Sequence, residues 1–194
     1  MLRPAMTTAL IGIAGVTLSL ADGTAAAAAA PAPHAETEEV QQVTLYYDDS
    51  EAAEFQGEIA AGAQEWNDNV ENVTLERADQ GQDAEIRIVA TDGWPQATLG
   101  PVRPGGQARI EFGRQAVDEG YDTVRIASHE LGHSLGLPDD KPGPCSSLMS
   151  GSTGGVDCTN PTPNEAEQAQ AEANYGNGVA GEEPADDRVL VDAP

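Results

Sequence analysis

Lysine is almost missing from this sequence. Nine basic residues stand against 33 acidic ones, and Lys141 is the single lysine. A formal charge of −24 excludes nucleic acid and anionic membrane surfaces as partners and suits a chain kept soluble and monomeric by self-repulsion. Long apolar runs are also missing. No segment after the first thirty residues approaches the ~20 apolar residues needed to cross a bilayer. The one early run, 9–20, is too short to span. With Arg3 before it and small-x-small sites at 25–30 after it, it predicts a secretory signal peptide over 1–30 and an extracellular product. Cysteine is scarce too. Cys145 and Cys158 are the only pair, and they lack the C-x-x-C spacing of structural zinc sites. Once exported they meet no reductant, so a disulfide is the default, closing a loop worth about 3 kcal/mol in the chain-entropy model.

What the sequence does contain divides into four stretches. Residues 31–42, rich in Pro, Ala and Glu, read as a short pro-segment or leader. His34 lies in it and is read as solvated rather than as a metal cap. Residues 43–176 carry the folding signals. Residues 43–47 are β-branched and aromatic and predict a strand; 73–77, 84–90 and 108–113 predict three more. Ser50 is placed to cap a long first helix in which Phe55, Ile59, Ala63, Trp66 and Val70 recur at steps of three and four. Thr91 to Gln107 holds four glycines and three prolines and reads as a long loop. Asn72-Val73-Thr74 matches a glycosylation acceptor. Asn164, with Glu167 three residues on, forms a capping box that opens a last helix. Residues 177–194 are rich in Gly, Glu, Asp and Pro and are expected as a flexible acidic tail. The predicted fold is α+β: a small twisted mixed sheet of four or five strands with a long first helix, an active-site helix and a C-terminal helix.

One short stretch carries the chemistry. Two of the three histidines fall in His129-Glu130-Leu131-Gly132-His133-Ser134-Leu135-Gly136-Leu137-Pro138-Asp139, which reads H-E-x-x-H-x-x-G-x-x-D. On a helix over 123–135, residues four apart lie about 40° apart around the axis, so His129 and His133 point the same way. Two neutral imidazoles at that spacing hold one zinc ion, and Glu130 lies in reach of a water on it. Gly136 lets the chain leave the helix by a left-handed turn, which brings Asp139 back as a third, oxygen ligand. The fourth position stays open, the mark of a catalytic site. Zinc lowers the pKa of a bound water to about 7. Glu130 then serves as general base toward a peptide carbonyl and returns the proton to the leaving amine.

Ten residues beyond Asp139, Ser147-Leu148-Met149-Ser150-Gly151 places a methionine in a turn. Taken with the extended zinc motif, this resembles the metzincin clan of metallopeptidases, where a methionine turn underlies the metal. Gly143-Pro144-Cys145, Leu148-Met149-Ser150-Gly151 and Cys158-Thr159-Asn160-Pro161 resemble the snapalysin family of small secreted neutral metalloproteases, as do Ala63-Gln64 and Trp66-Asn67. The resemblance implies zinc ligands His129, His133 and Asp139, the base Glu130, a Cys145–Cys158 disulfide and cleavage before aromatic residues. It also implies a calcium site near Asp122 and Val124. One position departs from the family, which carries a tyrosine two residues beyond the Asp ligand; here that residue is Lys141, a cationic donor.

Two other readings compete. A thermolysin-like enzyme takes its third ligand from a glutamate on a later helix, for which Glu165, Glu167 and Glu172 are candidates. A secreted binding protein retains the metal without turnover. Under the peptidase reading, the strand over 108–113 is expected to form the cleft's upper rim and to pair with an extended substrate.

Overall fold

Alternation of Val43, Leu45 and Tyr47 sends every second side chain to one face, and the strand they open, β1, runs Val43–Glu51 with that face buried. The computed structural model describes residues 42–176 and 188–194, which belong to one unit, Glu38–Pro194. The expected signal peptide (1–30), the expected leader (31–42) apart from Gln42, and residues 177–187 lie outside the described residues. Because β1 continues through Ser50, this serine does not cap the first helix. The chain enters α1 (Gln56–Asn69) through a 3-10 turn, Ala53–Phe55, with no side-chain cap. Ile59, Ala63 and Trp66 then bury the stripe that their spacing predicts.

Helix α1 carries the chain back to lay β2 (Val73–Arg77) parallel to β1, Val43 opposite Val73 and Leu45 opposite Leu75. On the other side of β1, β3 (Ile86–Thr91) and then β5 (Ala108–Gly113) continue the parallel sheet, with Ile88 opposite Ile110. Two further strands, β4 (Gln96–Thr98) and β6 (Val189–Val191), complete the sheet, whose order is β2-β1-β3-β5-β4-β6. The mixed α+β character is as the sequence predicts, and two short strands add to the four predicted ones. β4 (Gln96–Thr98) lies inside the expected long loop and pairs antiparallel with β5. β6 (Val189–Val191) pairs antiparallel with β4.

Two expectations are corrected here. Residues 188–194 are not a tail without a core: they add a strand to the sheet, and Asp192 is buried. An apolar run with two β-branched valines, Val189-Leu190-Val191, suits the pleated sheet better than its acidic flanks suggest. Nor does β5 form the rim of a cleft. It lies between β3 and β4, with ladder partners on both sides, and has no free edge for a substrate.

The sheet packs its buried face, including Leu45, Ile86, Ile88, Ile110 and Phe112, against α1 and α3 (Thr123–Ser134). Each such side chain contributes about 1.5–3 kcal/mol by leaving water. A short helix, α2 (Arg114–Asp118), links β5 to α3, and α4 (Glu165–Tyr175) follows the loop that carries both cysteines. The predicted Asn164–Glu167 capping box is present at its start. Helices α1 and α3 are joined by Trp66, whose indole N–H donates to the Ser128 carbonyl at 2.8 Å. They come closest at Gly62, where a Cβ would stand 2.7 Å from the Ser128 nitrogen.

Gly62→Ala should therefore destabilise the protein, because overpacking at about 1–3 kcal/mol exceeds the gain of about 1 kcal/mol in helix propensity. In the same helix a Cβ on Gly57 meets nothing within 4 Å, so Gly57→Ala should raise stability by up to about 1 kcal/mol. Thermal unfolding of the two variants should show midpoints displaced in opposite directions.

Candidate metal centre

Asp122 starts α3 by accepting a hydrogen bond from the Arg125 backbone N–H at 2.8 Å, and His129 and His133 lie one turn apart on that helix. At its other end the chain turns out through Gly136 at φ +92°, a left-handed conformation, and a Cβ there would come 2.7 Å from the Asn174 side-chain nitrogen. The turn returns Asp139 to the histidines. Its Oδ1 lies 3.5 Å from His129 Nε2 and 3.6 Å from His133 Nε2. The four helix residues His129, Glu130, His133 and Ser134 are fully buried.

Which nitrogen faces the centre is fixed from behind. His129 Nδ1 lies 3.0 Å from the Leu148 carbonyl and His133 Nδ1 lies 2.7 Å from the Leu137 carbonyl. A carbonyl only accepts, so each Nδ1 carries the proton and each Nε2 presents its lone pair. Both Nε2 atoms, both Glu130 carboxylate oxygens and Asp139 Oδ1 are buried without a hydrogen-bond partner. Such groups cost free energy unless something satisfies them. The ligand atoms of His129, His133 and Asp139 lie within 4.8 Å of one another. Two imidazole nitrogens and one carboxylate oxygen, buried and aimed at one point, fit a single zinc ion.

Asp192 completes the surroundings. Its Oδ1 is 3.9 Å from His129 Nε2, forms an ion pair with the Lys141 ammonium, and accepts from the Ser152 N–H at 2.8 Å. Lys141 Nζ also stands 3.5 Å from Asp139 Oδ1, so the residue that replaces the family tyrosine does face the centre. Nothing in the motif spacing points to Asp192. The nearest sequence signal is the apolar run before it.

Met149 lies beneath α3, where a Cβ on Gly132 would stand 2.8 Å from its sulfur. Two buried charged residues hold this turn, and neither role was legible from spacing. The Arg125 guanidinium donates to the carbonyls of Ser147 at 2.8 Å and Asn160 at 2.6 Å, and to Ser150 Oγ at 2.9 Å. The Glu167 carboxylate accepts from Ser147 Oγ and from the Met149 N–H, both at 2.8 Å. Glu167 is thus committed to the methionine turn. Glu172 accepts from the backbone of Glu71 and Asn72, and Glu165 is exposed. No glutamate of α4 reaches the histidines, which removes the thermolysin-like arrangement. The predicted Cys145–Cys158 disulfide is present, and the Cys145 carbonyl accepts from the Asn160 side chain at 3.2 Å. The bridge is thereby tied to the Arg125 anchor. Asp122 belongs to neither of the two potential metal-holding clusters among the described residues.

Burial dominates the electrostatics. It pushes the Glu130 carboxyl up to about 8, against the pull of His129. It pushes His133 down to about 3, with His129 acting in the same direction. For His129 burial also lowers the pKa, but the carboxylates of Asp139 and Asp192 outweigh it and the net direction is upward. At Asp139 burial raises the pKa, and the two histidines and Lys141 reverse the direction. In chelator-treated protein, Glu130 holds a proton between its unfolded value of 4.5 and about 8, where the unfolded chain has released it. The native state then binds more protons, so this group's contribution to stability is full below 4.5 and is lost as pH rises through about 8. Because His129 and His133 add their own pH dependence, the difference between the two proteins is what reports Glu130: on melting, chelated wild type should lose stability relative to Glu130→Gln as pH rises across this range.

Residues 42–178 match the model of the Streptomyces extracellular neutral proteinase (M7) family. An extracellular small neutral protease of Streptomyces caespitosus is 42% identical over 143 residues, covering 70% of this chain and 99% of that protein. A protein of the same description from Streptomyces sp. (strain C5) is 40% identical over 138 residues, 71% of this chain and 58% of the relative. Among solved structures, archaemetzincin from Methanopyrus kandleri superposes with a TM-score of 0.43 at 14% identity, over 71% of this chain and 97% of that one. By its family match and its identity to these proteases, the chain belongs to the M7 family of extracellular neutral proteinases.

Proposed function

We propose that this protein is a secreted zinc-dependent endopeptidase that uses Glu130 as its general base. One observation carries the reading: His129 Nε2, His133 Nε2 and Asp139 Oδ1 converge without hydrogen-bond partners beside an equally unpartnered Glu130 carboxylate. His129, His133 and Asp139 would hold the zinc ion, which would supply Lewis acidity and lower the pKa of the attacking water. Glu130 takes the proton of the attacking water and delivers it to the departing amine nitrogen. The raised affinity of its carboxyl for protons suits it to both halves of that transfer. Lys141, whose ammonium is 3.5 Å from Asp139 Oδ1, offers a cationic donor to the developing oxyanion in place of the tyrosine that clan members often use near the zinc. The carbonyls of Leu148 and Leu137 hold the two imidazoles in the tautomer that ligation needs.

Membership of a family described as extracellular, together with the signal peptide expected over 1–30, supports secretion. The resemblance to snapalysin adds an aromatic residue after the scissile bond, and calcium at Asp122 and the Val124 carbonyl.

Purified protein should contain about one zinc per chain, and Glu130→Gln should retain it while losing about two to four orders of magnitude in peptide hydrolysis. Asp139→Ala should lose zinc to a chelator faster than wild type, because a ligand oxygen is gone. Metal analysis counting zinc and calcium, run beside hydrolysis of casein and of peptides with aromatic or aliphatic residues after the bond, checks each part. Zinc-loaded wild type without hydrolysis would favour a binding protein.

A further inference from the structure

The strand that closes the sheet beside the metal centre comes from residues 188–194, and it behaves like a peptide laid on an edge. β6 pairs antiparallel with β4, Thr98 opposite Val189, Ala97 opposite Leu190 and Gln96 opposite Val191. The pairing extends at both ends: the Leu99 N–H donates to the Arg188 carbonyl and the Asp192 N–H donates to the Pro95 carbonyl, each at 2.8 Å. The apolar side chains of β6 bury little: Val189 and Val191, on one face, are 54% and 49% exposed, and Leu190 on the other is only partly buried. The segment is held by its backbone ladder, as peptides are held in strand addition.

The ladder ends by driving one side chain into the centre. Asp192 is 5% exposed, and its carboxylate lies among His129, Glu130 and Lys141. The ligand atoms of His129, Glu130 and Asp192 lie within 4.8 Å of one another, a second set sharing His129 with the first. Room for the carboxylate is made by Gly151, at φ +49°, where a Cβ would stand 2.1 Å from Asp192 Oδ1. Its partner Lys141 is the position at which the motif departs from its family.

We infer that Asp192 is a further ligand of the metal and that residues 188–192 occupy the β4 edge on which an extended substrate would pair, holding the enzyme closed until they leave. This rests on the proposed zinc peptidase reading. The carboxylate offers no scissile bond where a peptide carbonyl has to sit, so the segment is not consumed. A weak contact suffices because it is made within one chain, where the effective concentration of the segment reaches about millimolar. A segment binding with a Kd of about 0.1 mM is then displaced only about a tenth of the time.

The test compares the full chain, Asp192→Ala and a chain ending at Gly176, each loaded with cobalt(II) or zinc. In the full chain the visible spectrum of cobalt should include the Asp192 carboxylate and should change in both altered proteins. Their hydrolysis of a fluorogenic peptide should exceed that of the full chain by about tenfold. A synthetic Arg-Val-Leu-Val-Asp-Ala-Pro peptide should restore the spectrum and the inhibition in the shortened chain. If shortening prevents folding, the Asp192→Ala comparison stands alone. Equal rates and superposable spectra in full chain and Asp192→Ala would overturn the inference while leaving the peptidase reading intact. Failure of every protein to take up either metal would overturn both.

Discussion

Two imidazole nitrogens, the Glu130 carboxylate and one oxygen of Asp139, buried together with no hydrogen-bond partner, set the constraint on which the rest of this structure depends. Removing such groups from water costs several kcal/mol for each charge, and their mutual repulsion adds to that. The pKa directions express the same strain: Glu130 is driven toward its neutral acid and His133 toward its neutral base. A cation held by the two Nε2 atoms and Asp139 would reverse the balance, because those lone pairs would then have a partner. A cluster that is unfavourable alone is well matched to a metal.

Holding these groups in place takes more of the chain than the motif itself. Each imidazole is oriented from behind by a carbonyl, and one of those carbonyls, that of Leu148, belongs to the methionine turn. The turn buries Leu148 and Met149 in the core and is pinned by charge as well, with Arg125 gripping its carbonyls and Glu167 its N–H groups. Hydrogen bonds to charged groups are worth about 1.5–3 kcal/mol each, so a buried ion can set a loop as firmly as a strand can. The disulfide extends this frame outward through Asn160, which meets both Arg125 and Cys145.

The sheet edge explains why an acidic segment ends beside an acidic centre. A net charge of −24 argues against bringing Asp192 close to Asp139 and Glu130. Lys141, the single lysine, stands between the two aspartates and relieves that repulsion. The backbone of β4 supplies the remainder of the attachment, and a backbone edge does not discriminate by side-chain charge.

What the sequence by itself determined is what depends on near neighbours. Helical geometry fixes where residues four apart point, so the two histidines, the glutamate and the glycine exit to Asp139 were legible from spacing, as were the capping box and the apolar stripe of α1. Local signals failed where a short run was ambiguous: Ser50 resembled a cap but continues a strand, and the glycines and prolines around Gln96–Thr98 masked β4. Only the tertiary structure decided that β5 is interior, that Arg125 and Glu167 anchor the methionine turn, and that Asp192 enters the centre. Each of these joins positions far apart in the chain, 40 residues in the case of Ser152 and Asp192. Such contacts are set by which strand edge is left unpaired and which buried group lacks a partner, and no local period in the sequence records either.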